Sequence, residues 1–494
     1  MKNLGIDVGS SSIKVCLYDL EKNNLIASAQ SPDHELDMIS NQPGWAEQHP
    51  DTWWEHIKLA IAKIKANHAA ELLEVEAIGI SYQMHGLVVV DKNFKPLRPS
   101  IIWCDSRAVA IGEAAFSALG SSFCLSHYLN SPGNFTASKL KWVKDNEPEL
   151  FTKIHLAMLP GDYIALRMTS EPLSTYSGMS EGILWDFSAA GLNHSLLEHY
   201  GISPELFPGL QASFSDQGKV KPEIAAELGI SPQARITYRA GDQPNNAFSL
   251  NVLKPGEVAA NAGTSGVIYG IDDKPSYDPQ SRVNTFVHVN HQANNPRYGV
   301  LACVNGTGIL NSWTRKLLGF QAEQSVSYQS MNEAAAKAPA GSGGLLMYPY
   351  GNGAERTLGN KNPGASIKNL DFNNHQPAHV LRATQEGIVY ALNLGFDVMK
   401  GMGMQVNKVR AGHANMFLSP LFRQVFADVT RTSVELYQAD GAIGAAIGAG
   451  VGTGKVNMTE AFSGIKPISK IEPNTAQSTQ YQEFYQQWKA GLEV

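Results

Sequence analysis

The sequence predicts an α/β fold of two lobes, and three observations support this prediction. The chain has 494 residues, which is long for one compact domain, and its 43% hydrophobic content suffices for a large core. Runs of small residues at 9–12 and at 263–266 each interrupt a pair of strand-like segments. Strand-like and helix-like patterns alternate over much of the remaining sequence. We therefore expect two halves of similar size, each opening with its own strand–turn–strand hairpin.

The first hairpin lies at the N-terminus. Asp7 follows a short apolar run, and the turn beyond it contains Ser10 and Ser11. Apolar and polar residues, Lys14 among them, alternate over residues 13–18, as they do on a half-buried strand. Turns of small residues allow backbone N–H groups to face an anion. The hairpin is therefore a candidate phosphate-binding site.

The second hairpin is preceded by an acid. A strand-like run at 236–238 leads to Asp242 and Gln243, and a later run at 257–261 ends at the Gly-Thr-Ser-Gly turn. Either feature alone is more often an ordinary turn. Together, an acid and an anion-binding turn in neighbouring segments favour phosphate chemistry.

Composition argues against several classes of function. The net charge of −6 provides no basic surface for nucleic acid. The four cysteines lie far apart without a C-x-x-C pair, which suits a reducing cytoplasm and offers neither a disulfide framework nor a zinc site. Residues 441–454 are too short and too rich in Gly and Ala to cross a bilayer, and we expect a buried helix there. No signal peptide is expected, because Asp7 interrupts the first apolar run.

A polar loop with three tryptophans, residues 43–54, leads into a predicted helix that continues to about Lys65. Asp51 is the expected N-cap of this helix. Trp45, Trp53 and Trp54 are interpreted first as core anchors.

Several motifs, in a fixed order, resemble the FGGY family of carbohydrate kinases. GIDVGSSSIKVCLYD resembles the first phosphate motif of the family, ITYRAGDQPNNAF its catalytic-acid loop, and NAGTSG its second phosphate motif. PGWAEQHPDTWW, IGISYQMHGLVVVD and PLRPSIIWCDSRA are similar in order and spacing to the members that act on xylulose. The resemblance covers nearly the whole chain.

The resemblance implies two ribonuclease-H-like lobes, of the actin and heat-shock ATPase type, with a catalytic cleft between them. Residues 1–249 would form a sugar-binding lobe that also carries the catalytic Asp, and residues 250–494 a nucleotide-binding lobe. The implied activity is ATP-dependent phosphorylation of D-xylulose to D-xylulose 5-phosphate in pentose catabolism, with Mg²⁺ as the metal. The expected partner is a small sugar, with no nucleic acid and no membrane, and a homodimer stays open.

Site residues follow from the resemblance, motif by motif. Asp242 would be the catalytic base and Asp7 would hold Mg²⁺ mostly through water. The substrate-binding residues would be Met84, His85, Asp242 and Gln243. The nucleotide-binding residues would be Ser10, Ser11, Lys14, Gly263, Thr264, Ser265, Gly308, Gly412 and Asn415.

Some of these residues have a plainer interpretation. Lys14 could be a solvated lysine on a strand. Asp105 and Arg107 are equally well explained as a structural ion pair beneath the pocket. The chain also departs from the family where Gln243 replaces the usual Asn, and where His413 interrupts the glycine run of the adenosine motif, AGHANMFLSPLFRQVFAD.

Two alternative functions remain within this fold class. One is a kinase for another ketose or polyol, of the ribulose, gluconate or glycerol type. The other is an actin-like ATPase without a sugar substrate, although the Met-His pair after a strand argues against it. A Rossmann oxidoreductase is disfavoured, because the chain lacks the G-x-G-x-x-G turn.

Overall fold

The structure is a computed structural model that describes residues 1–319 and 327–492. Contacts within the chain define two units. Unit 1 comprises residues 1–251, 286–298 and 439–465, and unit 2 comprises residues 252–285, 299–438 and 466–494. Two segments from the second half of the chain thus belong to unit 1. The predicted division at a single boundary after residue 249 does not include them.

The chain up to residue 251 contributes most of unit 1. Its strands are β1 (Lys2–Val8), β2 (Ile13–Asp19), β3 (Asn24–Ser31), β4 (Glu47–Gln48), β5 (Val75–Tyr82), β6 (Val88–Val90), β7 (Ser100–Ile101), β8 (Leu156–Met158), β9 (Leu173–Thr175), β10 (Trp185–Asp186), β11 (Gly191–Leu192), β12 (Gly209–Gln211) and β13 (Arg235–Gly241). Its helices are α1 (Pro50–Leu72), α2 (Val109–Leu119), α3 (Ser121–Tyr128), α4 (Thr136–Asn146), α5 (Pro148–Phe151), α6 (Pro160–Thr169), α7 (Tyr176–Glu181), α8 (His194–Tyr200), α9 (Pro222–Leu228) and α10 (Asp242–Ser249).

Strands and helices continue to alternate beyond residue 251. The strands are β14 (Glu257–Ala262), β15 (Gly266–Asp272), β16 (Asn284–Val287), β17 (Tyr298–Val304), β18 (Leu346–Tyr350), β19 (Gly364–Lys368), β20 (Lys408–Gly412), β21 (Val434–Tyr437) and β22 (Ser469–Ile471). The helices are α11 (Gly308–Leu318), α12 (Tyr328–Ala335), α13 (Pro377–Gly401), α14 (Pro420–Thr430), α15 (Gly441–Gly452), α16 (Met458–Ala461) and α17 (Thr475–Ala490).

The central sheet of unit 1 has the strand order β13-β5-β1-β2-β3. β1 pairs antiparallel with β2 and parallel with β5, and β5 pairs parallel with β13. In this register Val8, Tyr82 and Gly241 lie side by side at the carboxyl ends of the three parallel strands. Side chains that follow these ends therefore meet at one edge of the sheet, where ligands bind in open α/β sheets.

The predicted buried helix at 441–454 is α15, and it packs on the sheet of unit 1. A Cβ on Gly5 would collide with the backbone of Ala442, and one on Gly79 with the backbone of Ala445. Glycine is required at both strand positions because the helix backbone lies directly against them. The expectation of close packing is confirmed.

Unit 2 repeats the arrangement of unit 1. Its sheet contains the order β17-β15-β14-β20-β21, with β14 antiparallel to β15 and parallel to β20. β20 in turn pairs parallel with β21. Both units thus place an antiparallel hairpin beside parallel strands, as expected for two lobes of the same type.

Helix α1 corrects the prediction for the tryptophan loop. Its N-cap is His49, not Asp51, and it continues to Leu72 rather than ending near Lys65. Pro50 occupies the first turn, where its missing N–H costs nothing. Asp51 instead accepts a hydrogen bond of 3.0 Å from the hydroxyl of Tyr163. A hydrogen bond to a residue distant in the sequence thus replaces the N-cap role that local sequence predicts for Asp51.

Of the three tryptophans interpreted as core anchors, Trp45 is only half-buried. Trp53 and Trp54 are buried in the core of unit 1, as the anchor interpretation predicts. The four cysteines are free thiols. Over the described ranges no single helix is long and apolar enough to cross a membrane, and one pair bent by 104°, α2 with α3, reaches that length and composition only jointly.

Candidate active site

Asp242 lies at the junction between β13 and α10, as the first residue of the helix. Burial and then the neighbouring Asp7 carboxylate raise the pKa of Asp242 to about 7, and hydrogen bonding from Gln243 opposes this in part. A carboxylate that titrates near neutral pH can both accept and release a proton under working conditions. The predicted base therefore has the proton affinity that its role requires.

Asp7 is the penultimate residue of β1 and faces Lys14 on β2 in the strand register. Burial raises the pKa of Asp7, and the Asp440 carboxylate adds to this, whereas the Ser81 hydroxyl and Lys14 lower it. The Asp7 carboxylate lies against Gly441 at the start of α15, where a Cβ would collide with it. Sequence reasoning did not find Asp440, because it lies far away in the sequence.

Lys14 is exposed, and its Nζ lies 3.5 Å from Oδ2 of Asp440. Asp440 also caps α15, since its side chain accepts a hydrogen bond of 2.8 Å from the N–H of Ala442. The lysine is thus part of the charged edge of the sheet. Its partner in the structure is a carboxylate.

The donor set at this edge fits a hard divalent cation. Asp7, Asp242 and Asp440 supply carboxylate oxygens, and the charge of Asp440 raises the pKa of Asp7 while the charge of Asp7 raises the pKa of Asp242. Among residues 1–319 and 327–492 no three His, Cys, Asp or Glu side chains are grouped as metal ligands. Proteins usually hold Mg²⁺ by one or two carboxylates, together with water and phosphate oxygens.

The turn between β1 and β2 is closed by a hydrogen bond of 3.2 Å from Gly9 N to Ser12 O. Gln48 Nε2 donates to the carbonyl of Ser10 at 2.7 Å, and Trp103 Nε1 donates to its hydroxyl at 3.2 Å. Ser11 is exposed. The two predicted serines are therefore fixed in a turn that faces solvent.

Met84 and His85 follow β5 at the same edge of the sheet. Met84 is buried, and a Cβ on Gly241 would collide with its side chain, so Met84 lies next to the residue before Asp242. His85 has a left-handed backbone with φ of 62°. Its Nδ1 donates to the carbonyl of Glu181 at 2.8 Å, which fixes the orientation of the ring.

Glu181 is an acid in this site that sequence reasoning missed. It ends α7, is fully buried, and its carboxylate lies against Gly241 beside Met84. Burial raises its pKa well above the usual range, and Asp242 is the next largest cause. The only signal in the sequence is an acid within a run of small and apolar residues.

In unit 2 the predicted phosphate turn is built from two segments. Gly308 N donates to the carbonyl of Gly263 at 2.7 Å, and the hydroxyl of Thr307 donates to the same carbonyl at 2.7 Å. A Cβ on Gly308 would lie 2.5 Å from that oxygen. Thr264 is exposed and Ser265 is half-buried. Hydrogen bonds to the carbonyl of Gly263 therefore hold the backbone of the turn, while the side chain of Thr264 is accessible to solvent.

The residues predicted to contact adenosine lie beside this turn. Gly412 ends β20, and a Cβ on it would meet open space. Asn415 begins a short 3₁₀ turn with φ of 53°, and its side-chain nitrogen lies 3.5 Å from where a Cβ on Gly263 would be. Unit 2 thus brings Gly263, Gly308 and Asn415 together.

Asp105 and Arg107 form a structural ion pair. Arg107 Nε donates to both carboxylate oxygens of Asp105, at 3.0 and 2.9 Å, and both side chains are buried. The guanidinium also stacks on the ring of Trp45, 3.9 Å from its centroid. The geometry supports the interpretation of these two residues as a structural ion pair.

Comparison with known proteins identifies the family. The N-terminal domain model of the FGGY family of carbohydrate kinases matches residues 3–249, and the C-terminal domain model matches residues 258–453. The chain belongs to this family. The carbohydrate-kinase prediction is confirmed, and membership disfavours the alternative of an ATPase without a sugar substrate.

Curated relatives extend this result over the whole chain. The xylulose kinase of Escherichia coli (strain K12) is 30% identical over 452 residues, covering 90% of this chain and 88% of that protein. The xylulose kinase of Haemophilus influenzae is 29% identical and covers 99% of each chain.

Solved structures have the same fold. A protein described as a "xyloylose kinase" from Brucella ovis has a TM-score of 0.89 at 26% identity, covering 99% of this chain and 98% of that one. A Plasmodium falciparum glycerol kinase with ADP has a TM-score of 0.86 at 20% identity, covering 100% and 99%. The second likeness concerns the fold alone. The predicted two-lobed α/β kinase fold is thereby confirmed.

Proposed function

We propose that this protein is an ATP-dependent kinase that phosphorylates D-xylulose to D-xylulose 5-phosphate. The observation that carries the proposal is the meeting of Asp242 with Met84 and His85 at one edge of the sheet in unit 1. A base that titrates near neutral pH lies there beside side chains suited to a polyhydroxylated substrate. The names of the curated relatives support xylulose as that substrate.

Asp242 would accept the proton of the attacking sugar hydroxyl. Phosphoryl transfer needs little covalent chemistry from the protein and depends on positioning, charge neutralisation and an orienting base. Because its pKa of about 7 matches neutral pH, Asp242 is substantially ionised at rest and retains a driving force for proton uptake. Hydrogen bonding from Gln243 would keep its carboxylate oriented toward the sugar.

His85 and Met84 would bind the sugar. The hydrogen bond from Nδ1 of His85 to the carbonyl of Glu181 orients the ring, whose Nε2 would bind a sugar hydroxyl. Met84 supplies an apolar wall against the carbon chain. Gln243, one methylene longer than the Asn usual in the family, would add a hydrogen bond close to the reacting hydroxyl.

Different residues would bind the phosphate groups of ATP and the metal ion. Gly263, Thr264 and Ser265 would bind phosphate oxygens of ATP through backbone N–H groups and hydroxyls, with Ser10, Ser11 and Lys14 assisting in unit 1. Gly308, Gly412 and Asn415 would bind the adenosine part. Asp7 would hold Mg²⁺, which when bound neutralises charge on the phosphate oxygens.

We also infer a cytoplasmic location, since four free thiols suit a reducing compartment. The proposed partners are the sugar and ATP, without nucleic acid or membrane. The proposed mechanism does not require a homodimer.

The test is ADP release by the purified protein with Mg²⁺ and a panel of D-xylulose, D-ribulose, gluconate and glycerol. We expect D-xylulose to give the highest kcat/KM. A higher value for another member of the panel would replace the proposed substrate. ADP release that no carbohydrate accelerates above the sugar-free rate would reject the kinase activity itself.

A further inference from the structure

Lys139 is a buried cation to which the proposed mechanism gives no role. It lies on α4 and has no exposed surface. Its Nζ donates to two main-chain carbonyls, that of His85 at 2.8 Å and that of Ile102 at 2.9 Å. These carbonyls belong to two different loops. One ammonium group thus joins two segments that the secondary structure alone leaves separate.

Each of the two loops carries a residue of the site. His85 is the predicted sugar ligand itself. Ile102 immediately precedes Trp103, whose Nε1 donates to the hydroxyl of Ser10 in the phosphate turn at 3.2 Å. A shift of either carbonyl would therefore move His85 or the indole of Trp103 that contacts the phosphate turn. The ammonium group of Lys139 contacts the main chain of both loops.

The start of α4 makes further contacts with the same loops. The hydroxyl of Thr136 donates to the carbonyl of Gly86 at 3.2 Å. The Phe135 ring packs edge-on against the ring of His85, with 4.7 Å between centroids. Asn134 donates through its side chain to the carbonyl of Asp105. The first turn of α4 and the two residues before it thus contact the loops at five points, the two carbonyls bound by Lys139 included.

Burying this amine is energetically unfavourable. Burial lowers the pKa of Lys139 to about 7, with Asp105 opposing the shift and Arg107 adding to it. An apolar side chain of similar length would avoid this penalty. The benefit must therefore lie in the link between the two carbonyls, of which that of Ile102 also accepts a hydrogen bond of 3.2 Å from the N–H of Asp105.

The left-handed backbone of His85 gives these carbonyls particular importance. A non-glycine residue at φ of 62° is strained and persists only when its surroundings hold it. The hydrogen bonds from Lys139 to His85 and from Thr136 to the next carbonyl supply that restraint. Without them the loop would relax, and His85 would lose its orientation.

We propose that Lys139 is a positioning residue of the sugar site, which holds the loops of His85 and Trp103 in their binding geometry through its two carbonyl contacts. The inference rests on the proposed function, because that function assigns His85 to sugar binding. It predicts a specific loss in sugar recognition rather than in nucleotide binding.

The test compares Lys139→Met with Lys141→Met. Methionine keeps the length and apolar volume of the lysine and removes the donors. We expect the KM for D-xylulose to rise about tenfold or more, with the KM for ATP unchanged and kcat lowered by less than the KM rises. Lys141 lies on the same helix and pairs with Asp145 at the surface, so its substitution should leave every parameter at the wild-type value.

Hydrogen exchange provides a readout independent of turnover. In Lys139→Met, amides of residues 83–87 and 102–105 should exchange faster than in wild type. If this variant does not fold, Thr136→Val removes one restraint with little change in shape, and should raise the KM for D-xylulose about threefold.

Specific outcomes would overturn the proposal. An unchanged sugar KM in a folded variant would do so, as would equal losses in both KM values and kcat, which indicate a purely structural role. Failure of the proposed function is separable. If wild type prefers another carbohydrate, that carbohydrate becomes the probe. If wild type phosphorylates none, unchanged exchange at residues 83–87 still rejects the role of Lys139.

Discussion

In unit 1 the hairpin β1–β2 carries Asp7 opposite Lys14, whereas in unit 2 the hairpin β14–β15 carries Asn261 opposite Val267. The two positions are equivalent, since each lies in the penultimate pair before the turn. Around Asp7 the structure gathers the carboxylates of Asp242 and Asp440. At the second turn, the N–H of Gly308 and the hydroxyl of Thr307 donate to the carbonyl of Gly263 and fix the backbone of the turn.

The difference shows how one backbone arrangement serves two kinds of chemistry. Closely spaced carboxylates repel a phosphate but attract a cation and raise the pKa of a neighbouring acid. A turn without carboxylates, lined by N–H groups, accepts an anion. We therefore expect substitutions in the first hairpin region to affect catalysis and metal dependence, and those in the second to affect ATP affinity.

The largest effect is expected for Asp242→Asn. Loss of the base should lower kcat by about 10²- to 10⁴-fold, with sugar and ATP binding largely retained. ADP release under saturating substrates measures this. Asp273→Asn, at an exposed acid of unit 2, is the control and should have wild-type kcat. More than about a tenth of wild-type kcat in Asp242→Asn would remove this residue from the mechanism.

Asp7→Asn would give the first hairpin the chemistry of the second. We expect roughly 10- to 100-fold lower activity at a fixed Mg²⁺ concentration, because a cation ligand is lost. A Mg²⁺ titration should show half-maximal activity at a higher concentration than in wild type. Asn261→Asp is the reciprocal variant, and should weaken ATP binding without changing the Mg²⁺ requirement. An unaltered Mg²⁺ dependence in Asp7→Asn would contradict the proposed metal site.

The pH dependence should follow the ionisation of Asp242. The base acts only when ionised, and burial with the Asp7 charge raises its pKa to about 7. kcat/KM should therefore increase about tenfold between pH 6 and pH 8 and level off above. In Asp7→Asn the acid limb should move to lower pH, because one raising influence is gone. A limb near pH 4 in wild type would show that the pKa of Asp242 is not raised in the working enzyme.

A smaller effect is expected for Gly308→Ala in the second hairpin region. The added Cβ would displace the Gly263 carbonyl, which lies 2.5 Å from its position. The KM for ATP should rise about fivefold, with the sugar KM unchanged. Gly401→Ala is the matched control, since a Cβ there meets nothing within 4 Å. A rise in the sugar KM of equal size would indicate a general disturbance.

Local sequence patterns determined much of the fold. The hairpins at residues 9–12 and 263–266 and the buried helix α15 were predictable, because alternating apolar residues and runs of Gly and Ala report burial directly. The family motifs likewise identified Asp242 and Asp7 as candidate site residues. Each of these features is encoded within a short, contiguous segment.

Tertiary structure decided what contiguous segments do not encode. Asp440 lies beside Asp7 only because α15 packs on the first sheet, and Glu181 reaches Gly241 from the end of α7. Lys139 acquires its two carbonyl partners through loops distant in the sequence. The proton affinities of Asp242 and Glu181 likewise depend on burial and on charges from remote segments. Burial and electrostatic coupling act through space, and a short stretch of sequence contains no record of which distant groups will surround it.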